Sequence, residues 1–222
     1  MPMPIDDIMA LSPVMPIMVL EDAASAPDLA HALMAGGVRV AEVTLRTPAA
    51  LQAIRAMKRA APDMAVGAGT LLSPDDVKRA QDAGADFLVT PGVAPKLLVA
   101  LLDSGLPMLP GAATGSEVAA LLEVGIARAK FFPAEQAGGP AWLSAIYGPF
   151  PAMRFCPTGG ITRALAPAYL RLPNVGCVGG SWLAPAKAIA AQDWAGIEAN
   201  ARATVALQAN AAHAADDQLS AI

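Results

Sequence analysis

The sequence predicts a single α/β domain built as a (β/α)8 barrel, and three observations predict it. Short β-rich runs alternate, eight times within 222 residues, with stretches whose apolar residues recur at helical spacing. The runs themselves are nearly continuous in apolar residues, as expected of parallel strands covered on both faces. The turn after the first run, Leu20-Glu21-Asp22, lacks the glycine fingerprint by which a doubly wound open sheet holds a nucleotide.

In chain order the expected strands are Ile17–Leu20, Val38–Leu45, Ala65–Thr70, Phe87–Thr90, Pro107–Ala112, Ala129–Phe132, Arg154–Thr158 and Gly176–Gly180. Leu29, Leu33 and Met34 form one helical set between them, and Leu51, Ile54 and Met57 the next. Start signals stand at Thr47-Pro48, Ser73-Pro74-Asp75-Asp76 and Ser116-Glu117. Stop signals follow at Gly36-Gly37, Gly84, Gly105 and Gly125, each just before an expected strand. A short helical extension precedes the barrel, which occupies roughly residues 15–194 of one domain spanning 1–222. The Ala-rich stretch after Asp193 reads as a last helix that frays from Asn210 into a polar tail. No linker or second domain interrupts this layout, the plan of a TIM barrel.

Composition narrows the function. A net charge of −4 leaves no electrostatic footprint for nucleic acid and no basic tail for an anionic membrane. With 55% hydrophobic residues the chain is too apolar for disorder. Gly, Pro or charge interrupts every window of about 20 residues, so none can span a bilayer. Acid stands near the N-terminus where a secretory signal needs base, so a cytoplasmic enzyme is expected. The two cysteines, Cys156 and Cys177, read as small core residues rather than a disulfide framework. The two histidines, His31 and His213, are too few and too far apart for a metal site.

In such barrels chemistry sits at the C-terminal ends of strands, so polar residues there carry the argument. Of the five lysines, Lys58, Lys78, Lys96 and Lys187 fall on helices or their starts. Lys130 instead lies inside Ala129-Lys130-Phe131-Phe132, where alternation puts Arg128, Lys130 and Phe132 on one face. An ammonium shut in there loses hydration, which favours the neutral, nucleophilic amine that imine chemistry on a carbonyl needs. A lysine paired with a buried carboxylate, or snorkelling to the rim, is the plainer alternative. On Val40–Arg46, residues Glu42, Thr44 and Arg46 share a face. Glu42 is a candidate proton shuttle and Arg46 a carboxylate or phosphate fork, unless the two form only an ion pair. Thr70 adds a hydroxyl at the same end, and the turns Thr158-Gly159-Gly160 and Gly179-Gly180-Ser181 follow the last two strands, where barrels often bind phosphate.

Five segments together resemble the signatures of the class I 2-keto-3-deoxy-6-phosphogluconate aldolases, enzymes that often also cleave 4-hydroxy-2-oxoglutarate. They are Glu42–Pro48, Val66–Thr70, Lys130–Glu135, Pro157–Ile161 and Gly179–Leu183, and the resemblance runs in order from about Ile17 to about Trp194. It implies a lyase with a Schiff base on Lys130 and Glu42 as general acid/base. It implies pyruvate-carboxylate contacts from Arg46 and Thr70, apolar walls from Pro91 and Phe132, and Thr158 near the middle of the substrate. It places the phosphate among Gly159, Gly160, Gly179, Gly180 and Ser181. It implies no metal or other cofactor, a homotrimer, and a place in the Entner–Doudoroff route of carbohydrate metabolism.

A sister group acts on the 6-phosphogalactonate epimer, and Thr158 with Ser181-Trp182 favours the gluconate type. Two positions depart from the pattern. Leu20-Glu21-Asp22 stands where some relatives carry a basic residue, and Gly115 where proline is commoner. A barrel isomerase or synthase acting on a phosphorylated sugar by acid/base chemistry alone is the alternative from another class. It would leave Lys130 without a covalent role. A non-catalytic binding barrel would leave three polar side chains on one apolar strand face without a use.

Overall fold

The computed structural model describes residues 2–219, with side chains through 207. The strands are β1 (Val14–Met18), β2 (Val40–Thr44), β3 (Ala65–Gly69), β4 (Phe87–Val89), β5 (Met108–Leu109), β6 (Gly111–Ala112), β7 (Arg128–Phe131), β8 (Arg154–Pro157) and β9 (Val178–Gly180). The helices are α1 (Ile5–Ala10), α2 (Ala26–Ala35), α3 (Ala50–Ala60), α4 (Pro74–Asp82), α5 (Pro95–Asp103), α6 (Gly115–Glu123), α7 (Gly139–Tyr147), α8 (Ala166–Leu170), α9 (Ala186–Ala190) and α10 (Trp194–Leu219).

All strand pairs are parallel, as the alternation with helices requires. They do not form one uninterrupted ring of eight. A six-stranded sheet runs β5-β4-β3-β2-β1-β9, and a three-stranded sheet runs β6-β7-β8. Two physical causes divide them. Pro110 splits the expected fifth strand, because it has no N–H to donate, although its carbonyl still accepts from the Lys130 amide at 2.9 Å. On the other side Gly159-Gly160 turns just after β8, whereas Gly179-Gly180, expected as a turn, are the last strand residues of β9 and pair with β1. The bridge near the tips is the isolated pair Thr158 and Gly179. The sheets nevertheless enclose a common interior, since Lys130 of β7 reaches Glu42 of β2.

Alternation sorts the side chains into two apolar groups. Val14, Met18, Val43, Val66, Leu88, Phe131 and Phe155 pack outward against the helices. Met15, Val40, Phe87, Val89, Leu109 and the two cysteines fill the interior, with Ile8 and Met9 of α1 beneath them. The short N-terminal helix therefore plugs the end of the interior away from the glycine turns. Burying each large apolar side chain of these groups stabilises the fold by about 1.5–3 kcal/mol.

Several boundaries differ from the sequence expectation. β1 begins at Val14, three residues earlier than Ile17, because Val14–Pro16 pairs with β9 despite its proline. Ser73 and Asp76 form a capping box on α4, as expected. On α6 the capping residue is Thr114 rather than Ser116, again with Glu117 as its reciprocal partner. Ala49, with no side-chain cap, opens α3 in place of Thr47-Pro48. The last helix continues through the stretch where fraying was expected, and residues 220–222 of the tail lie outside the described residues.

Candidate active site

Lys130 faces inward because its neighbours on β7 are committed outward. Phe131 stacks on Trp142 of α7, with ring centroids 4.4 Å apart and planes within 8°, and Phe155 closes on both rings edge-on. Each such aromatic pair adds about 0.5–1.5 kcal/mol beyond its burial. Rotating the strand to free Lys130 would break that cluster, so the ammonium stays inside.

There it meets Glu42. Lys130 Nζ donates to Glu42 Oε1 at 3.0 Å and lies 3.2 Å from Oε2. The two side chains retain only 7% and 1% of their exposure. Glu42 faces the same interior because Ala41 and Val43, its neighbours on β2, pack outward. The Phe132 ring lies beside the pair, its centroid 5.6 Å from Lys130 Nζ. Pro91 lies against the paired strand: a side chain on Gly111, which registers with Lys130, would come within 2.3 Å of the Pro91 backbone.

The other polar residues on the β2 face separate into two roles. Thr44 is structural, its hydroxyl donating to the Met18 carbonyl at 3.0 Å and tying β2 to β1. Arg46 makes no pair with Glu42, because it lies beyond the end of β2 and turns to the next strand. Its Nε donates to Thr70 Oγ1 at 3.3 Å. Thr70 has a φ of +62°, a left-handed conformation that a β-branched residue rarely adopts.

The glycine turns sit at the same end. Lys130 registers with Cys156, and Thr158 is the next residue of that face. Thr158 is buried and bridges to Gly179, where any side chain would lie 2.1 Å from the Thr158 hydroxyl. This brings Gly159-Gly160 beside Gly179-Gly180, with Ser181 exposed at the tip. Cys177 offers no thiolate: the hydrogen bond its thiol donates to Cys156 first, and burial second, push it well above the ordinary value. His31 lies exposed on α2 against the Ala60 carbonyl, and the His213 side chain lies outside those described.

Sequence reasoning missed three residues around this end. Thr90 is fully buried, and its hydroxyl accepts from the Gly111 amide at 3.1 Å. Glu135 and Tyr169 are hydrogen-bonded to each other beside the Gly159-Gly160 turn. The only signal for Thr90 was a polar residue closing an apolar strand.

Comparison with known proteins matches this arrangement to one family. The KDPG and KHG aldolase profile matches residues 5–200. The chain belongs to this aldolase family. A KHG/KDPG aldolase of Escherichia coli K12 is 46% identical over 200 residues, covering 90% of this chain and 94% of that one. The KDPG aldolase of Legionella pneumophila, solved with pyruvate captured at low pH as a covalent carbinolamine intermediate, has a TM-score of 0.88. It is 44% identical and covers 90% of this aldolase and 97% of its own chain. The 2-keto-3-deoxy-6-phosphogluconate aldolase of Zymomonas mobilis ATCC 29191 is 47% identical, also with a TM-score of 0.88, covering 92% and 98%.

Proposed function

We propose that this chain is a class I aldolase that cleaves 2-keto-3-deoxy-6-phosphogluconate to pyruvate and glyceraldehyde 3-phosphate. The same chemistry cleaves 4-hydroxy-2-oxoglutarate to pyruvate and glyoxylate. The observation that carries the reading is the buried amine and carboxylate 3.0 Å apart. A carboxylate within hydrogen-bond reach takes a proton from the ammonium without solvent, which leaves a nucleophilic amine. An ion pair serving stability alone is a poor alternative, since such pairs are often no better than apolar replacements.

Each step then has a group to perform it. The Lys130 amine adds to the C2 ketone, giving a carbinolamine. Glu42 hands the proton it took from the ammonium to the departing hydroxyl, so water leaves, a protonated imine remains and Glu42 is again a carboxylate. Glu42 takes the C4 hydroxyl proton, the C3–C4 bond breaks into the imine, and the aldehyde leaves. The enamine regains a proton at C3 from Glu42, and water hydrolyses the imine to release pyruvate and the free amine. Arg46 and Thr70 hold the pyruvate carboxylate, an orientation effect. Pro91 and Phe132 wall the imine. Thr158 meets the middle of the substrate, and Gly159, Gly160, Gly179, Gly180 and Ser181 receive the phosphate on backbone N–H groups. The neighbourhood of the two glycine turns supports this placement.

In this reading the two sheets are one (β/α)8 barrel. The contact between β2 and β7 and the bridge from Thr158 to Gly179 support closure. The working form is a homotrimer in the cytoplasm; among the described residues no helix is long and apolar enough to cross a membrane. Thr158 and Ser181-Trp182 favour the gluconate epimer, so kcat/KM should be higher for it than for the galactonate epimer.

Borohydride reduction in the presence of pyruvate, followed by peptide mass spectrometry, tests the chemistry. The label should fall on Lys130. A label on another lysine, or none, rejects the assignment.

A further inference from the structure

The loop after β7 contains a half-buried hydrogen bond that the reaction does not use. Tyr169 of α8 is fully buried, and its hydroxyl donates to Glu135 Oε1. Burial first, and this bond second, push the phenol above its ordinary value of 10.0, so it remains a donor at neutral pH. The partners come from segments 34 residues apart. Gly139 leaves room for them, since a side chain there would stand 3.3 Å from the Tyr169 oxygen.

Glu135 in turn supports the turn at Gly159-Gly160. Its amide donates to the Gly159 carbonyl at 3.1 Å, and the preceding Ala134 amide donates to the Thr158 carbonyl at 2.8 Å. A side chain on Gly160 would lie 2.8 Å from Glu135 Cγ. The stem of Glu135 is thus pressed against the turn, while its carboxylate is drawn to the Gly139 side by the tyrosine. Released from that bond, a carboxylate at this distance would repel an anion held on the turn.

We propose that Tyr169 and Glu135 are the positioning pair of the phosphate cradle. They fix the Gly159-Gly160 turn and keep the Glu135 charge turned away from the bound phosphate. This rests on the aldolase reading above, in which that turn receives the substrate phosphate.

The test compares the phosphorylated substrate with 4-hydroxy-2-oxoglutarate in Tyr169→Phe and in Glu135→Asp. The second variant keeps the charge and the tyrosine but shortens the reach by one methylene. Both should raise KM for the phosphorylated substrate about tenfold, through lost positioning and like-charge repulsion. Both should leave kcat, and KM for 4-hydroxy-2-oxoglutarate, within about twofold. Adding Glu135→Gln to Tyr169→Phe removes the charge and should restore most of the affinity. An unchanged KM for the phosphorylated substrate, or equal losses on both substrates, overturns the proposal. Should Tyr169→Phe fail to fold, Glu135→Asp decides alone. If the wild-type enzyme traps no pyruvate with borohydride, the aldolase reading and this one fall together. If it does, only the positioning role is at stake.

Discussion

Gly69 makes room for Glu42: a side chain at Gly69 would begin 2.1 Å from Glu42 Oε1. Glu42 and Gly69 lie on adjacent paired strands, and the absence of a Cβ is what lets the carboxylate lie flat against β3 and still meet Lys130. A methyl group there must displace the carboxylate, because the backbone of a central strand cannot retreat.

Gly69→Ala should therefore act as a catalytic lesion without touching a reacting group. Moving a general base off its proton removes most of its contribution, so kcat should fall about 10²-fold or more. Steady-state kinetics beside a thermal melt would check this. Retained turnover with a normal fold would mean that the position of Glu42 is not critical.

Glu42→Gln separates imine formation from carbon–carbon cleavage. The amide keeps the shape and a hydrogen-bond acceptor for Lys130 but cannot carry the C4 hydroxyl proton. Borohydride trapping of pyruvate should persist at a reduced rate, while turnover falls about 10²–10⁴-fold. Equal loss of both would argue against proton transfer as the role of Glu42.

Removing the lysine has a stability consequence as well as a kinetic one. Lys130→Met abolishes imine chemistry at any substrate concentration and leaves Glu42 buried without its partner. Breaking a buried pair from one side costs about 3–5 kcal/mol, whereas neutralising both sides is often nearly neutral. Urea unfolding should show Lys130→Met well below wild type, and Lys130→Met combined with Glu42→Gln recovering most of the difference. Absence of recovery would mean that the loss comes from packing rather than from the stranded charge.

How much of this was legible in the sequence depended on whether the signal was local. Lys130 and Glu42 stood out because a charge on an otherwise apolar strand is conspicuous at period two. Their meeting was implied only by the family resemblance and not by the residues themselves, because 88 residues separate them and only the curvature of the sheets joins them. The alternative to a proton-shuttle reading, a bare ion pair between Glu42 and Arg46, rested on the one nearby cation. It failed because Arg46 lies past the strand end and turns to Thr70. Pro110 was visible in the sequence, yet a proline that interrupts pairing looks the same as one at a strand edge. Tyr169 gave no pattern, and Glu135 stood only as the last residue of the Lys130–Glu135 segment, with nothing to say what it would meet. Gly159-Gly160 was read as a turn and is one, Gly179-Gly180 was read as a turn and ends β9, and Gly69 passed as strand filler, because what it avoids belongs to another strand.

Thr70 sets stability against binding. At φ +62° it carries strain of about 1–2 kcal/mol that glycine would not. Part of that relief is offset by the greater freedom of glycine in the unfolded chain. Thr70→Gly should therefore leave the melting temperature unchanged or slightly higher. It also removes the hydroxyl that accepts from Arg46 Nε, freeing the guanidinium that we propose holds the pyruvate carboxylate. The pyruvate concentration for half-maximal borohydride inactivation should rise several-fold, on the order of one lost hydrogen bond to a charged group. A destabilised variant that binds pyruvate normally would reverse the argument, showing that the threonine is held for the fold rather than for the substrate.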